Sequence, residues 1–138
     1  MAATKLQANW TAVTHGATQI TRVDSVSFDQ GGSLVPYSGD ADIYPVVIAN
    51  LLNNPSASVT SSDPAALMGI SIGTTGSFSA THKDAKAAAS GAISYVLANA
   101  VVQNVQTSGA HAAYGTATMT MLAYSADGTT NPLSFTRT

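Results

Sequence analysis

Residues Ala92–Gln106 read AISYVLANAVVQNVQ and residues Ala113–Ser125 read AYGTATMTMLAYS. In the first stretch Ile93, Tyr95, Leu97, Asn99, Val101, Gln103 and Val105 fall on one side of an extended chain, and Ala92, Ser94, Val96, Ala98, Ala100, Val102 and Asn104 on the other. Both sides are apolar for several residues, which is how a strand covered on both faces reads. In the second stretch Ala117, Met119, Met121 and Ala123 alternate with Thr116, Thr118, Thr120 and Leu122. A period of two with β-branched threonine predicts a strand that is apolar on one face and hydroxyl-bearing on the other. The connection Thr107–His111, TSGAH, is short enough to join the two as a long antiparallel hairpin.

Outward from this hairpin, turn residues divide the chain at short intervals. His15-Gly16 separates Trp10–Val13 from Gln19–Phe28, and Gln30-Gly31-Gly32 closes that second run. Asn53-Asn54-Pro55 ends the apolar run Pro45–Leu52, and Asp127-Gly128 precedes Leu133–Thr136. Such spacing predicts strands joined by turns. One short helix is signalled at about residues 63–69, with Asp63 as N-cap, Pro64 at the first helical position and Gly69 just past the end. The alanine-rich stretch Lys83–Ser90 reads as a loop or partly helical excursion between strands. No apolar stripe at helical spacing lasts beyond two turns, and neither a repeat nor a linker divides the chain. The expected fold is a single domain over residues 1–138, mainly β, an antiparallel β-sandwich or barrel-forming sheet flanked by one short α-helix.

Composition bears on function. The 138 residues suffice for one core, yet only 9% are charged, where an ordinary soluble domain has about 25%. Glutamate is absent, and the seven acidic residues are all aspartate. Protein interfaces are depleted in charged side chains at their centres, so this composition favours a subunit flanked by copies of itself. Lys5, Arg22, Lys83, Lys86 and Arg137 are scattered, which disfavours specific binding to nucleic acid. There is no cysteine, hence no disulfide and no thiolate metal site. The N-terminal Met1–Leu6 has no apolar core of a signal peptide, and the run near Tyr44–Leu52 is far short of the ~20 residues of a membrane helix.

No constellation for chemistry stands out. His15, His82 and His111 are far apart in sequence and each borders a turn, so they read as solvated loop side chains. Asp40-Ala41-Asp42 resembles the start of a calcium loop, but the closing glutamate cannot be supplied; a looser Ca²⁺ site is the lesser reading, and both aspartates are expected to cap or solvate a turn. Gly69-Ile70-Ser71-Ile72-Gly73 matches the letters of a nucleophile elbow without its strand–turn–long-helix context. Gly31-Gly32 and Gly73–Gly76 lack the lysine and helix of a phosphate loop. Trp10, Tyr37, Tyr44, Phe78, Tyr95, Tyr114, Tyr124 and Phe135 are spread about one per strand, as core or interface aromatics are. The chain is therefore expected to be non-enzymatic, with no cofactor or metal.

Three segments carry a family resemblance: Ile20–Phe28 (ITRVDSVSF), Gly69–Phe78 running into Ala80-Thr81-His82-Lys83-Asp84-Ala85, and the closing Tyr124–Phe135. In style and order they resemble the small tail tube proteins of tailed bacteriophages. The resemblance implies a virion structural protein, assembled in the host cytoplasm, whose hexameric rings stack into a tube. Its partners would be copies of itself, the tape-measure protein, other tail proteins and transiting DNA held without specific contacts. It implies a lumen lined either by Thr116, Thr118 and Thr120 or by Asn99 and Gln103 on the face opposite. The polar segment Gln30–Pro45, with Gln30, Gly31, Gly32, Asp40 and Asp42, is the expected ring-stacking loop. A capsid decoration protein, a head–tail connector or tail terminator, and a carbohydrate-binding sandwich are the alternatives.

Overall fold

The computed structural model describes residues 10–82 and 92–137; the expectation for Lys83–Ser90 lies outside them. Among the described residues ten strands and one helix follow in order: β1 (Thr11–His15), β2 (Thr18–Gln19), β3 (Val23–Asp29), β4 (Gly32–Tyr37), β5 (Val47–Asn53), β6 (Ser56–Ser61), α1 (Pro64–Met68), β7 (Thr75–His82), β8 (Ile93–Ser108), β9 (Thr116–Ala123) and β10 (Leu133–Arg137). All pairings are antiparallel. The main sheet runs β2-β1-β7-β8-β9-β6-β3, with β10 added to β8, and β4-β5 form a ribbon of their own. The expected mainly β architecture with one short helix is what the chain adopts.

Strand β8 organises the sheet. One of its edges pairs with β7, from His82↔Ile93 to Thr75↔Val101. The other edge pairs first with β10, at Ile93–Leu97, and then with β9, at Ala100–Ser108. Asn99 stands at the changeover with φ of 54°. Strict alternation predicted Leu97, Asn99, Val101, Gln103 and Val105 on one side, and the structure corrects this. Leu97, Ala100 and Val102 are buried and Val105 packs on the same core. A register shift between Val102 and Asn104 marks a second irregularity. Each bulge inserts one residue and reverses which parity faces inward.

The bends fold the sheet over its own core. Phe28 on the end strand β3 stacks on Tyr95 of β8, with ring centroids 5.2 Å apart, and lies 5.5 Å from Phe78 of β7. Between these layers lie Val59, Ala117, Met119 and Met121, delivered by the period-two pattern of β6 and β9. Helix α1 starts at Pro64 as expected and inserts its fully buried Leu67 against β8 and β9. Asp63 is the N-cap but does not cap with its side chain; its carboxylate instead accepts from Thr21 Oγ1 at 2.9 Å. The buried Ser61 hydroxyl donates to Thr21 O at 2.6 Å and accepts from Asp63 N at 3.0 Å, tying the approach to β3 to the helix start.

The aromatics differ from the expected scatter. Trp10, Phe28, Phe78 and Tyr95 converge in one cluster, whereas Tyr37, Tyr44, Tyr114, Tyr124 and Phe135 are more than half exposed. Replacing Phe78 by Ala removes the centre of the folded-over core and should cost about 3–5 kcal/mol. Thr118→Ala, on the outer face, should cost under about 1.5 kcal/mol. Urea denaturation of both variants measures the difference; equal losses would contradict the folded-over arrangement.

Candidate assembly interface

The segment Gln30–Pro45 is not the loop that its composition predicted. It forms β4 and the tip of a β-hairpin arm whose return strand is β5, paired from Gly32↔Asn53 to Tyr37↔Val47. Gln30, Gly31 and Gly32 sit at the root of the arm and Asp40 and Asp42 at its tip. The five strand residues after Gly32 separate these two groups by about 17 Å. The polar Gly-rich ends hid the strand between them.

The root is fixed by close packing. Gly31 has φ of 65°, donates its N–H to Asp29 Oδ1 at 2.9 Å and accepts from Asn54 N at 2.8 Å. A Cβ at Gly31 would run into the Asn54 carbonyl, so only glycine fits. At the tip Val46 N donates to Tyr37 O at 2.9 Å, and Asp42 accepts from Gly39 N at 2.9 Å. Asp42 thus caps a turn, as expected.

Between root and tip the arm is apolar and uncovered. Leu34, Tyr37, Ile43, Tyr44, Val46, Val47, Ile48 and Leu52 are 52–90% exposed. Val35 and Ala49, paired across the ribbon, are the only described side chains of β4 and β5 even half-shielded. Cross-strand register puts Leu34, Pro36 and Ile48 on one face and Val35, Tyr37, Val47 and Leu52 on the other. Neither strand carries a charge. A two-stranded ribbon with no core of its own is marginal in water, and apolar residues on both faces are the pattern of a strand covered on both.

The outer face of β3, β6, β9 and the end of β8 is a field of hydroxyls. Thr116, Thr118 and Thr120 lie there half-buried, opposite the core residues Ala117, Met119 and Met121. They align with Ser56–Thr60 on one side and Asn104–Ser108 on the other. Thr60 and Thr118 hydroxyls meet at 3.2 Å and Ser27 and Ser58 at 2.7 Å. Asn99 and Gln103 do not form an opposite face. Asn99 is used at the bulge, its Nδ2 donating to Tyr124 O at 3.3 Å, and exposed Gln103 borders the same outer surface as the threonines. There Val101, Gln103, Leu122, Ala123 and Tyr124 line an apolar groove of about 260 Å³.

The histidines also differ from expectation. His15 is 3% exposed on β1, and its Nε2–H donates to Ala100 O at 3.1 Å, bridging across β7. His82 lies against Trp10 with ring centroids 4.7 Å apart, and only His111 is an exposed turn residue. His15 and exposed Ser71 border one shallow depression, which no carboxylate lines. Ser71 follows the short helix and its carbonyl accepts from Thr74 Oγ1 at 2.7 Å, a turn rather than a nucleophile elbow. Among the described residues no cluster of three metal-ligating side chains occurs, and no helix is long and apolar enough to cross a membrane. The sequence matches no protein-family model and no curated protein.

The loop beside the arm root is held by one carboxylate. Asp127 accepts from Thr130 N, Thr130 Oγ1, Thr129 N and Ser125 Oγ, at 2.7–2.9 Å. The Thr130 backbone bond leads in holding this carboxyl well below the ordinary carboxylate value of 3.8. A lowered folded-state value gives stability that is present above the unfolded value and lost as pH falls toward the folded one. The denaturation midpoint of the parent should therefore exceed that of Asp127→Asn by a constant margin at neutral pH. The margin should shrink as pH is taken below 3.8. Urea titrations across this range read it; a margin unchanged into strong acid would refute the assignment.

Proposed function

We propose that this chain is a non-enzymatic structural subunit that assembles with copies of itself, and that the assembly is the tail tube of a bacteriophage virion. The observation that carries self-assembly is the arm: eight large apolar side chains more than half exposed, five of them on two strands without a charge and three, Ile43, Tyr44 and Val46, at a tip that also bears Asp40 and Asp42. The ends of the main sheet add to it, since its path stops at β2 on one side and β3 on the other among the described residues. Unpaired margins invite strand addition from a neighbour, and closure into a ring removes them.

The tube reading adds the sequence resemblance and the chemistry of the outer face. A conduit for DNA must not grip phosphate. A face of Thr116, Thr118 and Thr120 among serines, asparagine and glutamine offers hydroxyls and amides without a cationic anchor. Stacked hexameric rings, a virion location and contacts with the tape-measure protein belong to this same reading.

Negative-stain microscopy with light scattering on the purified chain tests it. Rings or open-ended tubes are expected, and Ile48→Lys, a charge placed on the arm face, should abolish them while leaving a folded chain. A monodisperse monomer at every concentration would overturn self-assembly. A small closed oligomer that binds only to capsids would replace the tube with a decoration protein.

A further inference from the structure

Asp127-Gly128 is the only place in the chain where an aspartate precedes a glycine, and no asparagine precedes one. A residue without a Cβ lets its peptide nitrogen come close to the side-chain carbon of the aspartate before it. We infer that Asp127-Gly128 is a site of aspartate isomerisation, and that the hydrogen bonds on the Asp127 carboxylate and on Gly128 N hold the reaction back in the folded protein. This concerns the single chain, whether or not copies assemble.

The chemistry needs nothing but water. Gly128 N attacks Cγ of Asp127 and gives up its proton, an oxygen of the protonated carboxyl leaves as water, and a cyclic succinimide forms. Water then opens the ring. Opening at the side-chain carbonyl returns aspartate; opening at the main-chain carbonyl gives isoaspartate, in which the chain runs through the side-chain carbon. One water leaves and one enters, so the product has the mass of the parent.

The native loop engages both reacting groups. Asp127 Oδ1 accepts from Thr129 N, Thr130 N and Ser125 Oγ, and Oδ2 from Thr130 Oγ1, all at 2.7–2.9 Å. These bonds favour the anion, which is a poor electrophile and has no hydroxyl to lose. Gly128 N donates to Ser125 O at 3.3 Å, a bond it must release before it can attack. Both residues are exposed, so water reaches any ring that forms. The other aspartates precede Ser25, Gln30, Ala41, Ile43, Pro64 and Ala85, each with a Cβ in the way.

The product would not fit the loop. Isoaspartate adds a methylene to the main chain and shortens the branch that carries the carboxylate. The acceptor then no longer meets Thr129 N, Thr130 N and the Thr130 hydroxyl together. Gly128, Thr129 and Thr130 line one cleft with Asn50, Asn53 and Pro55, so the change loosens the wall beside the root of the arm.

The test ages the purified protein in mildly acid buffer, native and in urea, and quantifies isoaspartate at residue 127 by peptide mapping, where it elutes apart from aspartate at equal mass. The parent should isomerise far more slowly native than in urea, a comparison that needs no substitution. Thr130→Val with Ser125→Ala removes two side-chain donors and keeps both backbone bonds. Its native rate should rise roughly tenfold, the effect of weakening hydrogen bonds to a charged group. Its rate in urea should equal the parent's, and Gly128→Ala should slow the reaction there. A native parent that isomerises as fast as the denatured one, or a folded double variant no faster than the parent, would overturn the protective role. A denatured chain that isomerises chiefly at another aspartate would overturn the site.

Discussion

The reversal of β8 at Asn99 decides where the other strands can go. Below it the strand's free edge takes β10; above it the same edge takes β9. A flat sixteen-residue strand would hold both neighbours in one plane and leave one face of the sheet bare. The bulge bends the strand, increases its twist and sends β9, β6 and β3 back across the core. Phe28 reaches Tyr95 and Phe78 only because of that return. The left-handed backbone at Asn99 is one that asparagine tolerates better than a β-branched residue, and the side chain contributes by bonding to Tyr124 O. A single residue thus connects a backbone preference to the closure of the core.

Closure leaves a sheet surface that must stay wet without ions. Charged side chains usually do this; here rows of serine and threonine do. Cross-strand pairs such as Thr60–Thr118 and Ser27–Ser58 satisfy one another while remaining open to water. Each bond is worth little net, since water would replace it. Their collective effect is a polar face with no long flexible side chains to order on contact, so covering it costs little side-chain entropy. Inside, the polar groups are paired: His15 on Ala100 O and Ser61 on Thr21 O, with no buried unsatisfied side-chain atom among the described residues.

How much of this was legible depends on whether the signal was local. The threonine–methionine alternation of β9 and the Asp63-Pro64 helix start follow from pattern and turn chemistry, and both stand in the structure. The strand of β8 was legible but its faces were not, because a bulge changes parity without any change in composition. His15 was misread because its position beside Gly16 is a loop signal, while its burial comes from Ala100, eighty-five residues away. The arm was misread for a related reason. Gln30–Gly32 and Asp40–Asp42 look like the ends of a loop, and Leu34–Tyr37 is too short a run to outweigh them. The apolar run of β5 was visible, but that its side chains would stay exposed is a tertiary fact that no local pattern encodes.

The placement of several of the few charges bears on the proposed self-assembly. Asp24 and Asp29 lie on β3, the strand that ends the main sheet, and Asp40 and Asp42 at the arm tip. Charges on edge strands and tips obstruct indiscriminate strand addition. Pro36, which has no N–H to offer, does the same within β4. The flat faces between these guarded margins remain neutral. A monomer protecting itself from aggregation would distribute charge over the faces as well, because an apolar face is as adhesive as an open edge. Edge charges limit strand addition to a neighbour whose register they permit, and the unguarded faces are left for the remaining contact. That is the arrangement which the proposed assembly of this chain with copies of itself calls for.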